Sequence, residues 1–315
     1  MKVLFCGSGR CGLPTLRRLA DAGHEVVGAV SQPPRRAGRG GRLRPTPVAE
    51  LAGELGLEVM AVEDINDPRV VRDMAAAGAD VTVVVDFGQK LGLPARSAAR
   101  LGAFNMHASL LPALRGAAPI NWAIIRGCER TGVTTFRMVD AMDAGEIFSQ
   151  RETEIGPEET AEELETRLAE LGVETVLETL EKLAAGELQG RPQDHSRATR
   201  APRLRKSDGR IDFAADAVSI RNLIHGTWPW PGAQAKYISP EGRAVDVILG
   251  RARSLAGGHS LAQPGTVLDD LTVATGQGRL AILEIKPANR RLIGWRDFVN
   301  GYRVRPGTRF VSTAP

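Results

Sequence analysis

Cysteine is scarce in this 315-residue chain, which holds only Cys6, Cys11 and Cys128. An odd count with no pair at metal-ligand spacing argues against a disulfide scaffold or a structural zinc site, and for a reducing compartment. No Cys/His cluster stands ready to hold a metal, so none is expected. Long apolar runs are lacking too. The N-terminal MKVLFCGSGRCG breaks into glycines after a few apolar residues, so no signal-peptide core is expected, and no other run is long enough to span a bilayer. The expected location is the cytoplasm, without a membrane partner, and the expected state is a monomer. Internal repeats and low-complexity tracts are also absent. What remains is ordinary globular composition, 43% apolar and 25% charged, with length for one large domain and a smaller one.

The net charge of +4 conceals an asymmetry. From residue 200 onward there are 18 Lys+Arg against 9 Asp+Glu, whereas the first 199 residues carry 23 basic and 28 acidic side chains. A basic C-terminal third on an acidic body suggests a polyanionic partner, with nucleic acid the obvious candidate.

The first half alternates strand-like and helix-like segments: KVLFC (2–6), LPTLRRLADAG (13–23), EVVGAV (25–30), TPVAELAGELG (46–56) and DVTVVV (80–85). The strand-like runs are apolar without alternation, as strands buried on both faces are. The rhythm predicts an α/β fold with a doubly wound, Rossmann-like parallel sheet. A long helix is expected from Thr160, which forms a capping-box pattern with Glu163, to a stop at Gly186. Residues 190–208, Arg-rich and holding Pro192 and Pro202, read as a linker between a domain at 1–189 and one at 209–315. The latter shows short strand-like pieces (RIDF, AVDVILG, GTVLDD, LAILEIK) broken by turn residues, the pattern of a small β-barrel.

Gly7, Gly9 and Gly12 spell G-x-G-x-x-G after the first strand. A dinucleotide site also needs an acidic residue about twenty positions on, to hold the ribose. The second strand ends at Val30-Ser31-Gln32, with no Asp or Glu, although Arg35 and Arg36 leave a 2′-phosphate reading open. The motif is read as a tight strand-to-helix turn without a dinucleotide.

The chemistry concentrates downstream. Gly102 to His107 reads as a short strand ending at the sheet's carboxyl edge, where α/β proteins place their sites. Asn105 and His107, two apart, face the same side of an extended backbone. One offers amide donors and the other titrates near neutrality. Thr131 to Val139 reads as another strand, followed by a turn in which Asp143 is flanked by small residues. The stretch FNMHASLLPALRGAAPINWA (104–123), with MDAGEI (142–147) after it, closely resembles the signature of the 10-formyltetrahydrofolate-dependent formyltransferases.

That resemblance implies catalytic roles for Asn105, His107 and Asp143 and a folate cosubstrate. The folate would be bordered by Ser109, Leu110, Leu111 and Pro112, by Phe87 and Gly88, and by Val139 and Asp140. Asn105 would stabilise the oxyanion through its side-chain amide. His107 would donate to the same oxyanion or relay the amine proton, and Asp143 would orient His107 or take up that proton through water. The similarity extends nearly end to end to members that formylate methionyl initiator tRNA. QPPRRAGRGGRLRPTPV (32–48) resembles their Arg-rich loop, with Arg36, Arg39 and Arg42 facing tRNA. LRKSDGRIDF (204–213), WPWPG (228–232) and RPG (305–307) resemble their C-terminal domain, with Arg203, Arg205 and Lys206 as further tRNA contacts. Two departures stand out: Pro34 replaces an acidic residue, and Asp86-Phe87-Gly88 replaces Ala-Tyr-Gly. PINWA (119–123) also occurs in relatives that formylate amino sugars, so a small-molecule amine is the alternative acceptor. His24, His195, His225 and His259 are read as structural or surface, and Trp228 and Trp230 as domain packing.

Overall fold

The computed structural model describes residues 1–37, 41–257 and 262–313. The chain packs into two units. One comprises Met1–Pro119, Thr131–Thr153 and Glu165–Pro202, the other Ile120–Arg130, Glu154–Leu164 and Arg203–Pro315.

In chain order the elements up to residue 184 are β1 (Lys2–Gly7), α1 (Leu13–Asp21), β2 (Glu25–Ser31), β3 (Arg35–Ala37), β4 (Arg42–Arg44), α2 (Pro47–Glu54), β5 (Val59–Ala61), α3 (Pro68–Ala76), β6 (Val81–Val85), α4 (Leu93–Arg96), β7 (Ala103–His107), α5 (Pro119–Ile125), β8 (Arg130–Arg137), β9 (Ile147–Glu154) and α6 (Ala161–Ala184). Seven strands form one sheet in the order β5-β2-β1-β6-β7-β8-β9. The first five run parallel, with β6 buried along its whole length, as its unbroken β-branched run VTVVV predicts. β8 pairs antiparallel with β7, His107 opposite Thr134, so the sheet is mixed rather than wholly parallel. A short pair of strands joined by a turn needs no crossover helix, and none intervenes between β8 and β9.

Local signals set the helix starts. Thr46 accepts from Ala49 N at 3.1 Å and Pro47 follows it at the first helical position of α2. Asp67 and Pro68 repeat the device at α3, with Arg69 N donating to the Asp67 carboxylate at 2.7 Å. At α6 the predicted capping box forms, with Thr160 N donating to Glu163 Oε2 at 2.9 Å and Glu163 N to Thr160 Oγ1 at 3.4 Å. The helix ends where Gly186 adopts φ +71°.

The second unit is built on α7 (Ala217–Thr227), β10 (Ala233–Ile238), β11 (Ala244–Leu255), β12 (Val273–Ala274), β13 (Arg279–Pro287), β14 (Ile293–Gly294), α8 (Trp295–Tyr302) and β15 (Arg309–Ser312). Its antiparallel sheet runs β12-β13-β11-β10-β15, with β14 on β13. Thr266 bridges Arg309 of β15 while Val267 bridges Val273 of β12, so the two edges approach closure and the sheet becomes barrel-like. Every second residue of β10 is buried, and its Tyr237 packs edge-on against Phe298 of α8 at 5.4 Å between ring centres. RIDF and GTVLDD, read as strands, pair only at isolated bridges, Arg210 with Gln234 for the first and Thr266 with Arg309 and Val267 with Val273 for the second. Arg251 fastens the 154–164 segment to this unit through Glu163 at 2.7 Å and the Glu158 carbonyl at 2.6 Å.

The polar stretch expected as a linker is ordered into the first unit up to Pro202. Arg191 bridges Ile147 at the start of β9, and Arg200 bridges Arg115. The side chains of Arg191, Gln193 and Thr199 have specific partners inside the unit, a use that composition cannot distinguish from solvation.

Candidate active site

β7 alternates as its sequence predicts: Phe104 and Met106 are buried on one face, and Asn105 and His107 project from the other. Asn105 is half-buried, whereas His107 is 6% exposed. His107 Nε2 lies 2.9 Å from the carbonyl oxygen of Leu114. A carbonyl only accepts, so this network assigns the proton to Nε2 and turns Nδ1 towards Asp143, whose Oδ2 is 3.9 Å away. Phe136 of β8 meets the imidazole edge-on, with ring centres 6.4 Å apart.

Asp143 occupies a turn between β8 and β9 with φ +50°, a left-handed conformation uncommon outside glycine. Its Oδ2 accepts from Gly116 N at 2.8 Å. Gln193, unnoticed in the sequence, closes the turn from behind: its Nε2 donates to the carbonyls of Asp143 (2.9 Å) and Gly145 (2.7 Å). Its Oε1 accepts from Arg115 Nε at 3.2 Å and Nη2 at 2.6 Å. Arg115 Nη2 also lies 3.0 Å from His195 Nδ1. Burial pulls the Arg115 guanidinium below its usual range, and the Asp143 carboxylate opposes that shift. Asn105, His107 and Asp143 are thus gathered in the first unit, the first two by one strand and the third by a braced turn.

The residues associated with folate divide into groups. Val139 and Asp140 line a cavity of about 430 Å³, together with Leu93, Arg96, Phe104 and Arg137. Arg96 is 7% exposed and binds Asp140 Oδ1 at 2.6 Å, while its buried Nε has no hydrogen-bond partner among the described residues. Phe87 is 2% exposed and packs in the core with Leu4, Cys6 and Leu91, so its ring is not a ligand surface. Its carbonyl accepts from Gln32 Nε2 at 2.8 Å, and Gly88 follows at φ +80°. The Ser109–Pro112 segment is braced internally. Ser109 Oγ donates to the Ala113 carbonyl at 2.7 Å, Leu111 N donates to Thr134 Oγ1 at 3.2 Å, and Gln150 Nε2 donates to the Leu111 carbonyl at 3.0 Å. Neither Phe87-Gly88 nor Ser109–Pro112 lines the cavity.

The glycine motif is occupied by the protein itself. Ser8 N and Gly9 N both donate to the Asp86 carbonyl, at 3.0 and 3.1 Å, so amides that a bound phosphate would require are already engaged. Among the described residues no cluster of three or more His, Cys, Asp or Glu is placed to hold a metal.

The Arg-rich loop is in part a ribbon. β3 and β4 pair antiparallel, Arg36 opposite Leu43, with Arg36 and Arg42 exposed and Arg36 Nη1 donating to the Gly41 carbonyl at 3.0 Å. Arg39, like His259, lies outside the described residues. Arg203, Arg205 and Lys206 are exposed in the second unit. Trp228 is half-buried, its ring 3.5 Å from where a β-carbon on Gly250 would stand, in line with a packing role. Trp230 does not pack: it stands 58% exposed in the turn that leads to β10.

Two family models match, one described as formyl transferase over residues 1–180 and one as formyl transferase, C-terminal domain, over 203–303. A methionyl-tRNA formyltransferase of Solibacter usitatus is 42% identical over 306 residues, 96% of each chain. That of Symbiobacterium thermophilum is 41% identical over 98% of this chain and 95% of its own. Solved structures share the fold at lower identity. HypX from Aquifex aeolicus in complex with tetrahydrofolic acid has a TM-score of 0.62 at 18% identity, this chain spanning about half of it (51%). The sugar 3N-formyl transferase WlaRD has a TM-score of 0.63 at 14% identity, over 92% of this chain and 99% of that one. With both family models matched in order and relatives above 40% identity along nearly the whole length, the chain belongs to the formyl transferase family, among its methionyl-tRNA formyltransferases.

Proposed function

We propose that the chain transfers the formyl group of 10-formyltetrahydrofolate to the amino group of methionyl initiator tRNA, with residues 1–189 carrying the chemistry and 209–315 gripping the tRNA. The observation that carries this reading is the approach of Asp143 Oδ2 to His107 Nδ1 at 3.9 Å on the strand that holds Asn105. Asn105 aims its side-chain amide at the formyl oxygen as negative charge builds there during amine attack. His107 acts through Nδ1, because Nε2 is committed to Leu114. The free Nδ1 takes up the proton shed by the amine, Asp143 stabilises the imidazolium so formed, and the proton is then returned to the departing folate nitrogen.

The cavity beside Val139 and Asp140 suits the folate: Leu93 and Phe104 supply apolar walls, and the unpartnered Arg96 Nε supplies a donor. Arg36 and Arg42 of the ribbon, with Arg39, Arg203, Arg205 and Lys206, meet the tRNA phosphates. The enzyme works as a monomer and in the cytoplasm, the location with which its three free cysteines are consistent.

The test is formyl transfer to charged initiator tRNA with a UDP-amino sugar competing. Formyl-methionyl-tRNA is the expected product, and formylated sugar would overturn the acceptor. tRNA affinity should fall by about three log units per tenfold rise in salt if ~4 phosphates are contacted. Charge reversal at Arg203, Arg205 and Lys206 should flatten that slope, and superimposable slopes would remove these residues from the interface.

A further inference from the structure

We infer that Gln193 is a positioning residue for Asp143, its side-chain amide holding the turn that presents the carboxylate to His107. The inference rests on the reading of Asp143 given above. Gln193 is 7% exposed, and its amide is used at both ends, Nε2 by two carbonyls of the turn and Oε1 by the Arg115 guanidinium. The partners fix its orientation, because carbonyls only accept and a guanidinium only donates.

Arg115 and Gly116 link two holds on one residue. The Arg115 side chain locks Gln193, which grips the Asp143 backbone, and the Gly116 N–H grips the Asp143 carboxylate at 2.8 Å. Arg115 is itself tied to the strand-like segment beyond Gln193, through Arg115 N to the Thr199 carbonyl (2.8 Å) and Ala201 N to the Arg115 carbonyl (2.7 Å). Room at this point is tight: a β-carbon on Gly116 would lie 2.6 Å from the Ala201 carbonyl oxygen, and one on Gly145 would lie 1.8 Å from that of Arg137. The turn therefore has little freedom while Gln193 holds it. Once released, a buried carbonyl, a part-buried one and a guanidinium each lose a partner, and Asp143 is free to leave its φ of +50°.

The consequence is kinetic. A catalytic group displaced by about 1 Å costs up to roughly 10²-fold in rate. Gln193→Leu, of similar volume but without donors or acceptor, should lower kcat for formyl transfer by roughly 10- to 100-fold. KM for both substrates should stay within about threefold. The decisive measurement is the same substitution in an Asp143→Asn background. With the carboxylate already gone, loss of the clamp should reduce kcat by no more than about twofold, because residues acting through one another are not additive. A full additional loss in that background would overturn the proposal, since it would mean that Gln193 serves only general packing or acts elsewhere. Should Gln193→Leu fail to fold, Gln193→Glu carries the same cycle: it keeps an acceptor for Arg115 and sets an oxygen against the two carbonyls. The outcomes separate the inference from its foundation. If Asp143→Asn alone transfers at the wild-type rate, the assignment of the centre fails. If that variant is impaired and the cycle is additive, only the clamp fails.

Discussion

Gly9 and Asp86 compete for one space: a β-carbon on Gly9 would lie 1.6 Å from Oδ2 of Asp86. Gly9 itself has φ −86°, a conformation open to any residue, so the requirement for glycine there comes from the neighbour and not from the backbone. The contact joins the turn after β1 to the end of β6 and gives the glycine motif a use inside the protein.

Gly9→Ala should therefore destabilise the fold by about 1–3 kcal/mol, the range for overpacking. Asp86→Ala should restore most of that loss by removing the obstructing carboxylate. Urea denaturation of the two single variants and the double variant measures the coupling. Equal destabilisation of Gly9→Ala in both backgrounds would show that another contact sets the cost.

Asp143→Asn should leave the fold intact while lowering the transfer rate by roughly 10²-fold or more. Asn keeps a side-chain oxygen for the Gly116 N–H, so the turn retains that hold, but the charge facing His107 disappears. Turnover within about twofold of wild type, measured in single-turnover assays, would remove Asp143 from the centre.

Joint replacement of Arg36 and Arg42 by Ala should raise KM for methionyl-tRNA roughly tenfold or more, as expected when charged hydrogen bonds are lost. Both side chains are exposed, and neither lines the cavity beside Val139. Folate affinity should not change. Separate folate titrations and tRNA kinetics check this, and equal losses in both would place the ribbon over the folate.

His225 makes stability depend on pH. It is 2% exposed, its Nε2 accepts from Ala252 N at 3.2 Å, and its pKa is lowered to about 4. Burial is the chief cause, aided by Arg221 and Arg251 and opposed by Glu158. A histidine held neutral in the fold binds its proton more readily when unfolded, where its pKa is about 6.5. Its contribution is thus fully present above about pH 6.5 and is lost as pH falls towards 4, by at most about 3 kcal/mol. His225→Gln should flatten the pH dependence of thermal unfolding over that interval, and an unchanged slope would assign it to other groups.

Much of the first unit was legible because its signals are local. β6 declares itself by five consecutive buried β-branched residues, and α6 by a capping box whose two members lie three residues apart. Asn105 and His107 could be placed on one face from strand alternation alone, and a nearby turn marked Asp143 as a candidate. What the sequence determined by itself was therefore the order and kind of these elements and the short motif that carries the family. The tertiary structure decided the rest: the antiparallel course of β8, the engagement of the Ser8 and Gly9 amides by Asp86, the commitment of His107 Nε2 to Leu114, and the partnership of Gln193 with a turn 50 residues before it. Gln193 stands in a polar, Pro-containing stretch whose composition matches a solvated linker. Hydrogen bonds between distant segments leave no periodicity in a chain, because a side-chain amide is equally polar whether its partner is water or a buried carbonyl, and only the fold determines which it meets.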